Sequence, residues 1–212
     1  MHLDRVRITG ADDSIVPEAL LLLSQAYPWV EWGILVSATH NKGEPRFPAA
    51  QWIAELQYLA KKHPMHLSLH LCGKWARELL LGLQKIPDGL LEGFSRVQLN
   101  FAGTLLARHT GKCCLALRTL GARQIIFQLD GMLGHVHLAA VCEQDAILQS
   151  VDAVPLFDIS GGTGLLPYAW PAPILRYAYH GYAGGLGPEN LAGQLPLIAA
   201  AAGDARVWVD ME

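Results

Sequence analysis

With 212 residues, 51% of them apolar and only 17% charged, the chain has material for one sizeable core. A net charge of −3 excludes a chain-wide basic field for a nucleic acid backbone, so the expected partners are small molecules or protein. Four cysteines, Cys72, Cys113, Cys114 and Cys142, form no C-x-x-C pair, which predicts free thiols in a reducing compartment.

The N-terminus runs into a first strand at Arg5–Thr9 without the apolar region of a signal peptide. Asp12 and Asp13 follow, then a helix at Pro17–Ala26 with Pro17 placed for its first turn. The second strand, Glu31–Ser37, leads to Ser37 and His40. In the next loop, Arg46 is either a bidentate partner for a carboxylate or phosphate, or a solvated charge. A helix at Ala49–Lys62 precedes a strand at Met65–Leu71. There, His70 and Cys72 stand two apart, so one strand face can carry both. They read as a base with its partner, as two metal ligands, or as a buried imidazole and an inert thiol.

A helix at Lys74–Gln84 and a strand at Arg96–Phe101 bring Asn100 to a strand end. The helix at Arg108–Leu120 holds Cys113-Cys114 as buried filler, and the strand Gln124–Leu129 presents Gln128 and Asp130. After a helix at Leu133–Gln149 comes a strand at Ala153–Asp158. The proline-bearing stretch Gly164–Pro173 predicts a loop, followed by a strand at Leu175–Tyr182 and a helix at Pro188–Ala202. The last strand, Arg206–Asp210, brings Asp210 and Glu212.

Eight strands alternating with helices predict a compact closed (β/α)8 TIM barrel in a single domain spanning 1–212, with an open doubly wound sheet as the alternative. The sequence ends directly after the eighth strand, so a barrel lacking its eighth helix is expected, its flank covered by a tail, an N-terminal segment or a neighbouring copy. An uncovered apolar flank would favour a homo-oligomer. The longest apolar runs, Ala19–Leu23 and Leu195–Ala202, are too short to span a bilayer, so a cytoplasmic protein without a membrane partner is expected.

Two glycine-rich turns carry the most chemistry: Gly161-Gly162-Thr163-Gly164 after the sixth strand, and Ala183-Gly184-Gly185-Leu186-Gly187-Pro188 after the seventh. Glycine lets backbone N–H groups approach an anion without a Cβ in the way, and consecutive βα turns can share one phosphate. The plainer reading is that tight turns need positive φ. Asp158, just before the first turn, is either a proton donor or a cap on that turn.

The residues Val154-Pro155-Leu156-Phe157-Asp158, the following G-G-T-G and Trp170, and the run Y-H-G-Y-A-G-G-L-G-P-E-N-L at 179–191 together resemble the phosphoribosylanthranilate isomerases of tryptophan biosynthesis. R-V-W-V-D-M-E at 206–212 is similar to that family's eighth strand, and weaker echoes lie in V-R-I-T-G at 6–10 and P-R-F-P at 45–48. The resemblance implies a barrel that isomerises a phosphorylated sugar derivative, with Asp158 as the acid protonating a furanose ring oxygen. Two positions depart from the pattern. Thr9 stands where the family has its cysteine base, and Asn100 where its Q-L-H-G segment has histidine.

The favoured reading is an isomerase or epimerase of a phosphorylated small molecule, with no cofactor and no metal. Asp158 would be its acid, and Asp12, Cys72 or His70 its base. Gly161, Gly162, Thr163, Gly164, Gly184, Gly185, Arg46, Asn100, Gln128, Asp130 and Asp210 would bind the ligand. A divalent metal on Asp130, Asp158, Asp210, Glu212 and His70 defines a metal-dependent sugar-phosphate enzyme as one alternative. A non-catalytic relative that binds a phosphorylated ligand is another. Lys42, Lys61, Lys62, Lys74, Lys85 and Lys112 all fall in loops or helices, which argues against Schiff-base chemistry on a strand.

Overall fold

The computed structural model describes residues 1–37, 44–100, 116–121, 123–129, 152–158, 163–174 and 179–211. Eight parallel strands close into a barrel in sequence order: β1 (His2–Thr9), β2 (Val30–Ser37), β3 (His66–Cys72), β4 (Arg96–Asn100), β5 (Gln124–Leu129), β6 (Ala153–Asp158), β7 (Tyr179–Ala183) and β8 (Arg206–Met211). Pairing of β1 with β8, including Arg7 opposite Asp210, completes the ring. Outside it lie α1 (Pro17–Ala26), α2 (Ala50–Lys62), α3 (Lys74–Leu80) and α4 (Leu191–Ala202). Among the described residues no helix is long and apolar enough to cross a membrane.

Strand periodicity assigns the two faces. Leu67, Leu69 and Leu71 of β3, Val97 and Leu99 of β4, and Val207 and Val209 of β8 belong to one buried cluster. The same cluster holds Leu20 of α1, Leu56 of α2 and Ile198 of α4. Outward strand residues therefore pack with the helices, and the alternate residues fill the barrel. Val207 and Val209 of β8 are fully buried, so this flank of the barrel is covered.

The barrel interior is divided. On the β5–β8 side a separate apolar cluster gathers Ile126, Val154, Leu156, Ala183 and Trp208. Gly181 faces this cluster because the Trp208 indole fills the space where a Cβ would stand, with Leu156 Cδ1 2.6 Å from the same point. Gly181→Ala overpacks a closed interior and should cost ~1–3 kcal/mol of stability in denaturant unfolding. An unchanged midpoint would mean that Trp208 does not fill this space.

Several predicted element ends move, each for a local reason. The strand expected at Leu175–Tyr182 is Tyr179–Ala183, and residues 175–178 lie outside the described set. The third helix stops at Leu80 rather than Gln84. Gly82 takes φ +70° and the Leu83 N–H returns to Glu78 O at 2.8 Å, a glycine-terminated helix end. The last helix begins at Leu191 rather than Pro188, because Asn190 Oδ1 accepts from Gly187 N at 3.0 Å and closes a separate turn around Pro188. The helix predicted at Leu133–Gln149 and most of that at Arg108–Leu120 lie outside the described residues. Residues 163–174 form neither helix nor strand, in keeping with the predicted loop.

Candidate active site at the C-terminal mouth of the barrel

The floor of the mouth is a charged network that crosses the barrel. Arg7 on β1 is fully buried and donates to Gln98 Oε1 on β4, to Ser68 Oγ on β3 at 3.4 Å and to Asp210 Oδ2 on β8 at 2.5 Å. Since β1 and β4 are not neighbours in the sheet, the bond to Gln98 spans the interior. Burial works against the Arg7 charge, but the Asp210 carboxylate outweighs it and raises the guanidinium above its ordinary pKa. The other Asp210 oxygen accepts from Thr9 Oγ1 at 2.6 Å. Thr9 is thus partnered, but by a carboxylate already neutralised by Arg7, which leaves no strong base to activate its hydroxyl.

From Gln98 the network climbs toward the mouth. Gln98 Nε2 donates to Asn100 Oδ1 at 2.8 Å, and Asn100 Nδ2 faces Cys72 Sγ at 3.8 Å. The Cys72 thiol lies 3.7 Å from the His70 carbonyl oxygen. On the opposite side, Gln128 Nε2 donates to Asp158 Oδ2 at 2.5 Å and fixes the rotation of that carboxyl.

His70 lies over Gly33. An added Cβ there would collide with Thr9 Oγ1 and stand 2.9 Å from His70 Nε2, so glycine makes room for both side chains. The ring is almost completely buried, and its Nε2 has no hydrogen-bond partner among the described residues. Burial, followed by the cations Arg7, Arg96 and Arg46, holds its pKa well below 6.5, so the imidazole is neutral at neutral pH. Below pH 6.5 the unfolded chain therefore binds a proton that the folded chain refuses, and stability falls with pH. His66 and His180, also depressed chiefly by burial, act in the same direction. Each such histidine contributes up to about 1.4 kcal/mol per pH unit. In urea titrations between pH 6.5 and 5, His70→Gln should flatten this slope; an unaltered slope would contradict the burial argument.

The two glycine turns meet. Gly185, at φ +62°, lies so close to the other turn that a Cβ on it would stand 2.7 Å from both Gly164 O and Leu166 N. Gly164, Gly184, Gly185, Leu186 and Gly187 line one cavity of about 310 Å³ together with Thr9, His70, Gln98, Asn100, Gln128, Asp158 and Asp210. Gly187 is spent internally, because its N–H is taken by Asn190 Oδ1. Asn190 Nδ2 donates to Gly185 O at 2.8 Å, which locks the turn. The loop after β6 is pinned further along by Tyr182 Oη donating to Pro171 O at 2.9 Å and Trp170 Nε1 donating to Gln194 Oε1 at 3.0 Å. Burial pushes the Tyr182 phenol up to about 12, so it remains a donor at all ordinary pH.

Of the predicted site residues, Asp158, His70, Asn100, Gln128, Asp210, Gly164, Gly184 and Gly185 share this cavity, and Cys72 adjoins it through Asn100. Thr163 stands exposed beside Gly164. Asp12 is not in the cavity. Its carboxylate accepts from Ser14 N at 2.9 Å and Arg46 N at 2.5 Å, a side-chain turn that ties the second loop to the first. Arg46, at φ +75°, lays its Nε against Gly10, outside the cavity lining. Gly161, Gly162, Asp130, His40, Glu212, Cys113, Cys114, Cys142, Lys42 and Lys112 lie outside the described residues. Lys61 and Lys62 are on α2, Lys74 opens α3 and Lys85 is in a loop, so no described lysine is on a strand. Among the described residues no three His, Cys, Asp or Glu side chains cluster closely enough to hold a metal ion.

Arg7, Gln98, Gly33 and Glu189 were not among the predicted site residues. A signal for Arg7 and Gln98 is present: helices cover the outside of a barrel, so polar positions alternating with leucine, isoleucine or valine must face inward. R-V-R-I-T and R-V-Q-L-N both show that pattern.

No family model matches the chain, and no curated protein matches it. Among solved structures it is similar to the phospho-2-dehydro-3-deoxyheptonate aldolase (DAHP synthase) of Thermotoga maritima, with a TM-score of 0.58 and 12% identity over 99% of this chain. The chain spans 60% of that synthase. A truncated 3-deoxy-D-arabino-heptulosonate 7-phosphate synthase from the same organism gives a TM-score of 0.54 at 13% identity, over 100% of this chain and 75% of its own. At such identities the likeness is one of fold: this is a TIM barrel.

Proposed function

We propose that this barrel is an isomerase or epimerase of a phosphorylated sugar or a similar small molecule, acting by proton transfer. The observation that carries the reading is the meeting of the turns at Gly164 and Gly184–Leu186 in one cavity with Asp158, His70 and Asn100. In this reading the backbone amides of the two turns hold the phosphate and aim the sugar at the strand ends. A cavity of about 310 Å³ is of the size that small metabolites fill.

Asp158 is the proton donor, its carboxyl oriented by Gln128. His70 is a poor proton acceptor, because its environment disfavours the imidazolium, and it serves instead as a neutral hydrogen-bonding partner for a substrate oxygen. Asp12 is removed from the cavity and takes no part. Cys72 is left as the base, with Asn100 Nδ2 3.8 Å from its sulfur. The proton leaves a carbon for Cys72, and Asp158 protonates the ring oxygen; the two residues are reset when the product enol tautomerises. Phosphoribosylanthranilate, the substrate implied by the sequence resemblance, is the first compound to assay. Turnover supports the reading. Failure to bind any sugar phosphate more tightly than the dephosphorylated sugar contradicts it.

A further inference from the structure

Glu189 occupies an unexpected place for a residue beside an anion anchor. Both of its carboxylate oxygens lie 2.7 Å from the position a Cβ would take on Gly187, and the residue lines the cavity. Oε1 also accepts from Asn190 Nδ2 at 3.3 Å, on the same side chain that clamps Gly187 N and Gly185 O. The chain therefore lays its own carboxylate against the second glycine turn, while the exposed position of Glu189 leaves its side chain room to swing toward solvent. Glu189 thus sets a carboxylate at the rim of the cavity, where an entering bare anion meets it.

Resting on the phosphate reading above, we propose that Glu189 is an internal competitor at the anchor and a determinant of its specificity. It keeps the turns closed to free inorganic phosphate and yields only to a phosphate carried by a sugar that fills the rest of the cavity. The physical basis is like-charge repulsion at the rim together with occupancy of the space over Gly187. A tethered phosphate offsets both through the additional contacts of its sugar with Asn100, His70 and Gln128. The selectivity therefore resides in a removable charge, while the amides themselves are indifferent to what the phosphate is attached to.

The test is calorimetric titration of inorganic phosphate and of ribose 5-phosphate into the wild-type protein, Glu189→Gln and Glu189→Ala. Glutamine keeps the size of the side chain and removes its charge; alanine removes both. Inorganic phosphate should bind about tenfold more tightly to both variants, with a smaller gain for ribose 5-phosphate. Equal inorganic phosphate affinity in all three proteins overturns the role of Glu189 and leaves the anchor standing. No binding of either ligand to any of the three overturns the anchor and the competitor together. Weaker phosphate binding by Glu189→Gln overturns the competitor alone, since Glu189 would then be supporting the turn.

Discussion

Asp158→Asn lowers turnover of the phosphorylated substrate about 10²–10⁴-fold while leaving the fold intact. Asparagine matches the carboxyl in shape and keeps a partner for Gln128, so the geometry of the mouth survives and only the transferable proton is lost. Asp158 ends β6 with its side chain buried toward the cavity, and Gln128 holds it from the adjacent strand, so little rearrangement can substitute for it. The loss should fall on kcat, with binding of the phosphorylated ligand within a few-fold of wild type. A variant with unreduced kcat would remove Asp158 from the chemistry. A variant that loses ligand affinity instead would make it a binding group.

Glu31→Ala produces the largest loss of stability, about 3–5 kcal/mol, without touching the mouth. Glu31 is fully buried in the lower barrel, where Oε2 receives Arg96 Nη1 at 2.7 Å and Oε1 receives Arg5 Nη1 at 3.3 Å. Arg96 is itself buried, with Nε and Nη2 lacking hydrogen-bond partners among the described residues, and stacks 4.1 Å from the Trp208 ring. Removing Glu31 strands a guanidinium in the interior, and the π face of Trp208 offsets only part of that cost. Replacing both partners, Glu31→Met with Arg96→Met, should recover most of the loss, because no charge then remains to be desolvated. Denaturant unfolding distinguishes the outcomes. If the single variant is as stable as wild type, the pair does not organise the lower barrel.

The outer face of the fold was plain in the sequence, and the inner face was not. Gln124–Leu129 and Ala153–Asp158 occur as strands at the predicted bounds, and Pro17–Ala26 as a helix, because apolar spacing and a helix-starting proline specify them locally. The interior depends on which strands close on which. Arg7 meets Gln98 and Asp210 across separations of 91 and 203 residues, which no local pattern encodes. Asp12 illustrates the opposite error. As an acid at a strand end it reads as a catalytic residue, yet Ser14 two positions on is the usual partner of a side-chain turn, and the structure uses Asp12 in that way. The paired turns were half legible: glycine marks both, but Asn190 taking up Gly187 N is a contact that spacing alone does not assign.

The most direct test is a crystal structure of the protein with ribose 5-phosphate bound. The account predicts the phosphate between Gly164 and Gly184–Leu186, within hydrogen-bond reach of their amides, Glu189 turned outward, and the sugar facing Asp158 and His70. A phosphate bound at Arg46 or elsewhere on the surface, with these turns empty, would contradict it.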